Sequence, residues 1–300
     1  MTGAASPRVA LCGLGPMGAP IAARILASGR RLTVWNRTAA RAEPFAELGA
    51  VVAASPSAAA APVVLTVLPD LAQVEEVVHG ERGLAHGWRA HGIHDPVLVI
   101  HGTTSPSATA AFAARSAEQG ITVVDAPVSG GTVGARDGTL SIMLGGAEER
   151  TRALLPLLRA YGRVITYFGP SGSGALAKAC NQVIVAATVA AVSEAVALAR
   201  SGGIDAADLF PVLEGGLAGS EVIRQKKGNW IEERYVDGGS GRNQLKDLGF
   251  VRDAADGAGL DLPVADAVRG LFERMVARGD GDLDHTGVIR AVRAGRGGER

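Results

Sequence analysis

Through the first half of the chain, short runs of β-branched and other apolar residues alternate with Ala-rich amphipathic stretches. The runs between Arg8 and about Phe168 read RVALCGL, RLTVWN, PVVLTVL, PVLVIHG, ITVVDAP, LSIMLGG and RVITYFG. Strands interleaved with helical segments predict a mainly parallel sheet with helices on both faces. After Gly169 the strand pattern stops, and helical periodicity takes over: Gly174 to Ser201, then Ala206 to Gly215, Ser220 to Glu232, Asn243 to Gly257, Pro263 to Arg278 and His285 to Arg293. Breakers at Gly169, Pro170, Gly172 and Gly174 put the boundary just before the long helix. The expected fold class is therefore α/β: a Rossmann-like doubly wound sheet over residues 1–168, then an all-α domain over residues 169–300, joined by a long interdomain helix.

Charge narrows the partners. Thirty acidic and thirty basic side chains cancel, which argues against nucleic acid or an anionic membrane and for a small molecule. The stretch Val183 to Ala199 is interrupted by Ser193 and Glu194, so it reads as a buried helix and not a membrane span. The long helix Gly174 to Ser201 has too little polar surface to be one wall of a small monomeric domain, which predicts a homodimer or homotetramer through the helical domain. The opening residues have no signal-peptide layout, so a soluble, cytoplasmic protein is expected. Cys12 falls in a strand and Cys180 in a helix; both are expected to pack internally without a disulfide, and no His/Cys/Asp cluster has metal-ligand spacing. Glu194, Asp205 and Asp208 read as helix-face or capping carboxylates.

Candidate chemistry begins at GLGPMG, where Gly13, Leu14, Gly15, Pro16, Met17 and Gly18 stand between a strand and a helix expected to begin at about Pro16. The first glycine permits a tight turn, the second lets a pyrophosphate approach the backbone, and the third lets the helix pack closely. Free amides at the helix start would then hold the phosphates. The second strand ends in VWNRT, with no carboxylate for ribose hydroxyls. Arg37 can pair with a 2′-phosphate while Asn36 and Thr38 offer neutral hydrogen bonds, so the cofactor is expected to be NADP, with NAD possible.

Two further segments concern a substrate. Ser129, Gly130 and Gly131 follow a strand and expose amides and a hydroxyl suited to a carboxylate, although a flexible turn would read the same way. In GSGALAKACNQ, Lys178, Asn181 and Gln182 lie three and four residues apart, on one helical face beside the expected domain junction. An ammonium there can stabilise and protonate an oxygen that gains charge as hydride reaches its carbon.

GLGPMG, VLPD (Val67 to Asp70), GTTSP (Gly102 to Pro106), DAPVSGGTVGARDGTLSIMLGG, GSGALAKACNQ and LKDL (Leu245 to Leu248) occur in the order that resembles the β-hydroxyacid dehydrogenases, from about residue 8 to residue 293. The resemblance implies an oxidoreductase that interconverts a small carboxylated hydroxyacid and its semialdehyde. It implies Lys178 as the catalytic residue, Asn181 as an orienting amide, and Ser129, Gly130 and Gly131 as the carboxylate site. Thr103 would lie near the nicotinamide, Leu68 and Pro69 near the adenosine half, and Lys246 would close the site. Imine reductases share the layout but generally lack the lysine and the SGG motif; a non-catalytic nucleotide-binding scaffold is the other alternative. YVDGGSGRNQ before Lys246, and His101 before the GTT motif, depart from the family pattern.

Overall fold

A computed structural model describes residues 8–236 and 238–295. The chain divides into two compact units, Met1–Lys178 and Ala179–Arg300. The first holds one sheet of strands β1 Val9–Cys12, β2 Leu32–Trp35, β3 Val51–Val52, β4 Val63–Thr66, β5 Val97–Ile100, β6 Thr122–Asp125, β7 Val128–Ser129, β8 Leu140–Gly145 and β9 Gly162–Gly169. Its order is β3-β2-β1-β4-β5-β6-β8-β7, with β9 on β8. The first six strands are all parallel, in the arrangement of dinucleotide-binding sheets. β8 then runs antiparallel to β6 and β7, while β9 runs parallel to β8.

The apolar runs of β1, β4, β5 and β6 are buried on both sides because successive residues of one strand enter different cores, whereas β9 is exposed along most of its length. Val9, Leu11, Leu65, Val97, Val99 and Val124 pack with Ile21, Ile25, Leu154 and Leu158 from helices Gly18–Ala27 and Glu148–Leu158. Their neighbours Ala10, Cys12, Val64, Leu98, Ile100 and Val123 pack with Val74, Val78, Trp88 and Phe112 from helices Leu71–His79, Leu84–Ala90 and Pro106–Ala117. The sheet is thus doubly wound.

The second unit is helical. It takes up the rest of the helix Ser173–Ser201 and adds Ala206–Gly215, Glu221–Ile231, Gly241–Ala258, Pro263–Ala277 and Ile289–Arg293. By length and composition alone Ser173–Ser201 could cross a membrane, but Ala186, Val189, Ala190 and Val196 are buried here with Phe210, Trp230, Phe272 and Met275. Ser193, the polar break in that apolar stretch, donates to Val189 O at 2.8 Å and accepts from Trp230 Nε1 at 3.1 Å. Both buried polar groups are satisfied by one contact. Asp205 caps the helix after it through Ala207 N, as its position suggested.

Several local expectations change. The first helix starts at Gly18, so Pro16 and Met17 belong to the turn. The segment from His285 opens with a 3-10 turn, His285–Val288, fastened by Asp284, which accepts from Thr286 N and Oγ1 and from Asn229 Nδ2 and pairs with Lys226 Nζ at 2.6 Å. Cys180 is exposed rather than packed, because the helix face that carries it is turned outward; Cys12 is buried, and both are free.

Candidate active site

The glycine turn is built against its neighbours. Gly13 has φ +104°, and a Cβ there would meet Val67 O at 2.5 Å; its N–H donates to Trp35 O at 2.9 Å. A Cβ on Gly18 would lie 1.8 Å from Gly13 O, so the helix can rest on the turn only as glycine. Gly15 is different: a Cβ there would meet nothing within 4 Å. Its side of the loop is open space, which suits a ligand that must touch backbone. No acidic residue lies in the first turn of helix Gly18–Ala27, so no side chain of that turn opposes an anion there. The residues present therefore fit a dinucleotide pyrophosphate.

Asn36 does more than was expected of it. Its side-chain oxygen accepts from Leu14 N at 2.8 Å and its nitrogen donates to Thr38 O at 2.9 Å. It ties the glycine turn to the end of β2, while Arg37 and Thr38 beside it are exposed. Leu68 lies between two loops: a Cβ on Gly13 would come 2.9 Å from Leu68 Cδ2, and one on Gly102 would come 2.2 Å from Leu68 O. Asp70 follows Pro69 and caps the next helix through Gln73 N at 2.8 Å. The structure thus places Leu68 and Pro69, with half-buried Thr103, at the carboxyl ends of β4 and β5, the side where ligands bind in open parallel sheets.

Past β6 the chain is fixed residue by residue. Ala126 N donates to Ile100 O at 2.8 Å, His101 Nδ1 lies 2.6 Å from Ala126 O, and Met143 N donates to Pro127 O at 3.0 Å. Val128 and Ser129 pair with β8. Gly130 and Gly131 follow with φ +129° and +66°, a backbone region that side chains disfavour. Ser129, Gly130 and Gly131 thus form a turn that opens from a paired strand end into backbone geometry only glycine adopts readily.

Asp125 closes β6 and is completely buried. One oxygen accepts from Gly172 N at 2.9 Å and the other from Ala175 N at 2.8 Å. Burial raises its carboxyl above the usual range, and the N–H groups of Gly172, Ala175 and Gly174 oppose that without cancelling it. Room for the carboxylate comes from two glycines: a Cβ on Gly145 would lie 2.6 Å from Asp125 Oδ2, and one on Gly174 would lie 2.9 Å from the same oxygen. The first turn of the helix carrying Lys178 is thus anchored to the strand before the Ser129 turn. Lys178 itself is buried, as is Gln182; Asn181 is half-buried.

In the second unit Gln182 donates to Asp247 Oδ2 at 2.7 Å. Asp247 Oδ1 lies 3.5 Å from Lys246 Nζ, whose ammonium stands 5.5 Å from the Phe250 ring centroid. Gln182 therefore braces the carboxylate next to Lys246. The sequence places Gln182 on one helical face with Lys178 and Asn181 without assigning it a partner, and it does not single out Asp125, whose place at the start of DAPVSGG is the available signal. Among the described residues no group of three or more His, Cys, Asp or Glu side chains could hold a metal ion.

An open, parallel sheet of dinucleotide-binding order and a glycine turn with one face left clear define a dinucleotide-binding protein. A family model described as the NAD binding domain of 6-phosphogluconate dehydrogenase matches residues 8–169, and one described as NAD-binding of NADP-dependent 3-hydroxyisobutyrate dehydrogenase matches residues 172–292. The chain is 34% identical over 287 residues to 2-hydroxy-3-oxopropionate reductase of Escherichia coli K12, covering 95% of this chain and 97% of that protein. The crystal structure of 3-hydroxyisobutyrate dehydrogenase from Salmonella typhimurium superposes with a TM-score of 0.88 at 26% identity, covering 95% of this chain and 99% of the other. A reductive aminase from Aspergillus terreus in complex with NADPH and ethyl levulinate gives 0.63 at 27% identity, covering 96% and 100%. The chain belongs to the β-hydroxyacid dehydrogenase family and is an NAD(P)-dependent oxidoreductase.

Proposed function

We propose that this enzyme prefers NADP and interconverts a small β-hydroxyacid with its semialdehyde, of the glycerate and tartronate semialdehyde or 3-hydroxyisobutyrate and methylmalonate semialdehyde type, with Lys178 moving the proton. The observation that carries this reading is the anchoring of the Lys178 helix, through Asp125, to the strand that leads into Ser129, Gly130 and Gly131. An acid-binding turn and a proton carrier fixed to one strand end are what reduction of a carboxylated aldehyde requires.

The nicotinamide, when bound, delivers or accepts the hydride. In the reductive direction the Lys178 ammonium hydrogen-bonds the aldehyde oxygen, stabilises the charge that grows there and gives it a proton. In the oxidative direction the neutral amine takes the hydroxyl proton. Ser129 Oγ and the amides of Gly130 and Gly131 hold the carboxylate, and Asn181 orients the reacting oxygen. Gly15 and the amides of the first helix cradle the pyrophosphate, with Leu68, Pro69, Thr103 and Lys246 completing the cofactor set and Arg37 taking the 2′-phosphate.

Imine reduction is the second reading, supported by the likeness to the reductive aminase; the higher TM-score of the hydroxyacid dehydrogenase favours the first. The deciding experiment is a spectrophotometric panel of NADPH and NADH against tartronate, methylmalonate, succinate and glyoxylate aldehydes and a cyclic imine. Turnover of a carboxylated aldehyde with NADPH is expected. No turnover of any of them would sink the proposal.

A further inference from the structure

We infer that Asp125 is a positioning residue for the reaction, acting through Lys178: its buried carboxylate sets the place of the lysine relative to the Ser129 turn. This rests on the proposed role of Lys178.

Each oxygen of Asp125 accepts from a backbone N–H of the segment that opens the lysine helix, Gly172 N at 2.9 Å and Ala175 N at 2.8 Å. Both acceptors face N–H donors, so the group is bound as a carboxylate, and its charge lies at the positive end of the helix. Lys178 is three residues beyond Ala175, less than one turn, and helical side chains lean toward the N-terminus. On the other side, only Ala126, Pro127 and Val128 separate Asp125 from Ser129, and each of these is hydrogen-bonded or paired to a neighbouring strand or loop. His101 reinforces this link by holding Ala126 O, and Tyr161 holds His101 in turn through a 2.9 Å bond. Little slack exists along this path. A shift at Asp125 passes to the distance between the acid-binding turn and the proton carrier, whereas the glycine turn after β1 lies three strands away in the sheet.

The substitution Asp125→Asn keeps the shape, removes the charge and sets an amide N–H against a backbone N–H. Misplacement of a catalytic group by about 1 Å can cost roughly 100-fold. The expected result is a fall in kcat of about 100-fold, with the NADPH dissociation constant unchanged within about twofold, as in other cases where only transition-state alignment is lost. Asp125→Ser, which keeps one oxygen acceptor, should fall in between, and it serves as the test if circular dichroism shows Asp125→Asn to be unfolded.

A double-mutant cycle with Lys178→Ala separates positioning from general structure. If Asp125 acts through the lysine, Asp125→Asn has no further effect on residual turnover in the Lys178→Ala background. An equal fall in both backgrounds, a loss of NADPH binding alongside kcat, or wild-type kcat in a folded Asp125 variant would each overturn the inference. Full activity of Lys178→Ala alone would instead refute the role proposed for the lysine.

Discussion

His101 and Tyr161, 60 residues apart in sequence, share a buried 2.9 Å hydrogen bond whose direction can be read from its surroundings. His101 Nδ1 lies 2.6 Å from Ala126 O, which can only accept, so that nitrogen carries the proton and Nε2 accepts from the Tyr161 hydroxyl. Burial pushes the imidazole down to about 4, partly offset by the Ala126 carbonyl.

A pH dependence of stability follows. The native His101 stays neutral while the unfolded chain takes up a proton below about 6.5, so its contribution is complete above that pH and declines as pH falls toward about 4. The loss over this window is roughly 3 kcal/mol. His285, also lowered to about 4 by burial, acts in the same direction in the second unit. Urea unfolding of His101→Asn at several pH values should show a shallower decline than the parent chain between pH 6.5 and 4. Equal declines would mean that His101 is not responsible.

Lys178→Ala should lower turnover by about 1,000-fold, within the range for removal of a general acid or base. Cofactor affinity should stay nearly intact when followed by NADPH fluorescence. A variant that keeps its activity would remove Lys178 from the mechanism.

Replacing Arg37 with Glu should weaken NADPH binding by about 10- to 100-fold, the value of a hydrogen bond to a charged group, while NADH binding changes little. The ratio of the two dissociation constants is the measurement. If NADPH affinity is unchanged, the 2′-phosphate lies elsewhere.

Two glycines of one motif should respond in opposite ways. A Cβ on Gly15 meets no protein atom within 4 Å, so Gly15→Ala should preserve the melting temperature and weaken the cofactor. A Cβ on Gly18 would overlap Gly13 O at 1.8 Å, so Gly18→Ala should lower the melting temperature first. Similar behaviour of the two variants would show that the open side of Gly15 is not where the cofactor approaches.

Ile184 and Leu198 are 66% and 74% exposed, and their spacing on the long helix returns them to nearly the same face. Such a face is expected to be covered by a second copy, giving a dimer or tetramer by light scattering at micromolar concentration. Ile184→Glu should shift that equilibrium toward monomer. A parent chain that is itself monomeric would contradict the expectation.

The centre of the sheet is legible because β1, β4, β5 and β6 are buried on both faces and so read as unbroken apolar runs, and because Gly13, Gly15 and Gly18 stand at recognisable spacing between a strand and a helix. β3 and β7 are two residues long, too short for any periodicity. Pro16 reads as a first helical residue, yet the helix begins at Gly18 with Met17 as its cap, a difference of two residues at a helix end. Cys180 looked like packing because sequence spacing shows a helix but not which face turns outward. The partners of His101 and Asp125 lie 25 to 60 residues away, and no local pattern announces contacts of that kind.

The late 3-10 turn at Asp284 bears on how the chain is made. Val288, Ile289 and Ala291 belong to the same buried cluster as Ala186 and Val189, so a ribosome must add about ninety residues after the long helix before that cluster can close. During that interval the apolar side of the helix has no finished core to enter.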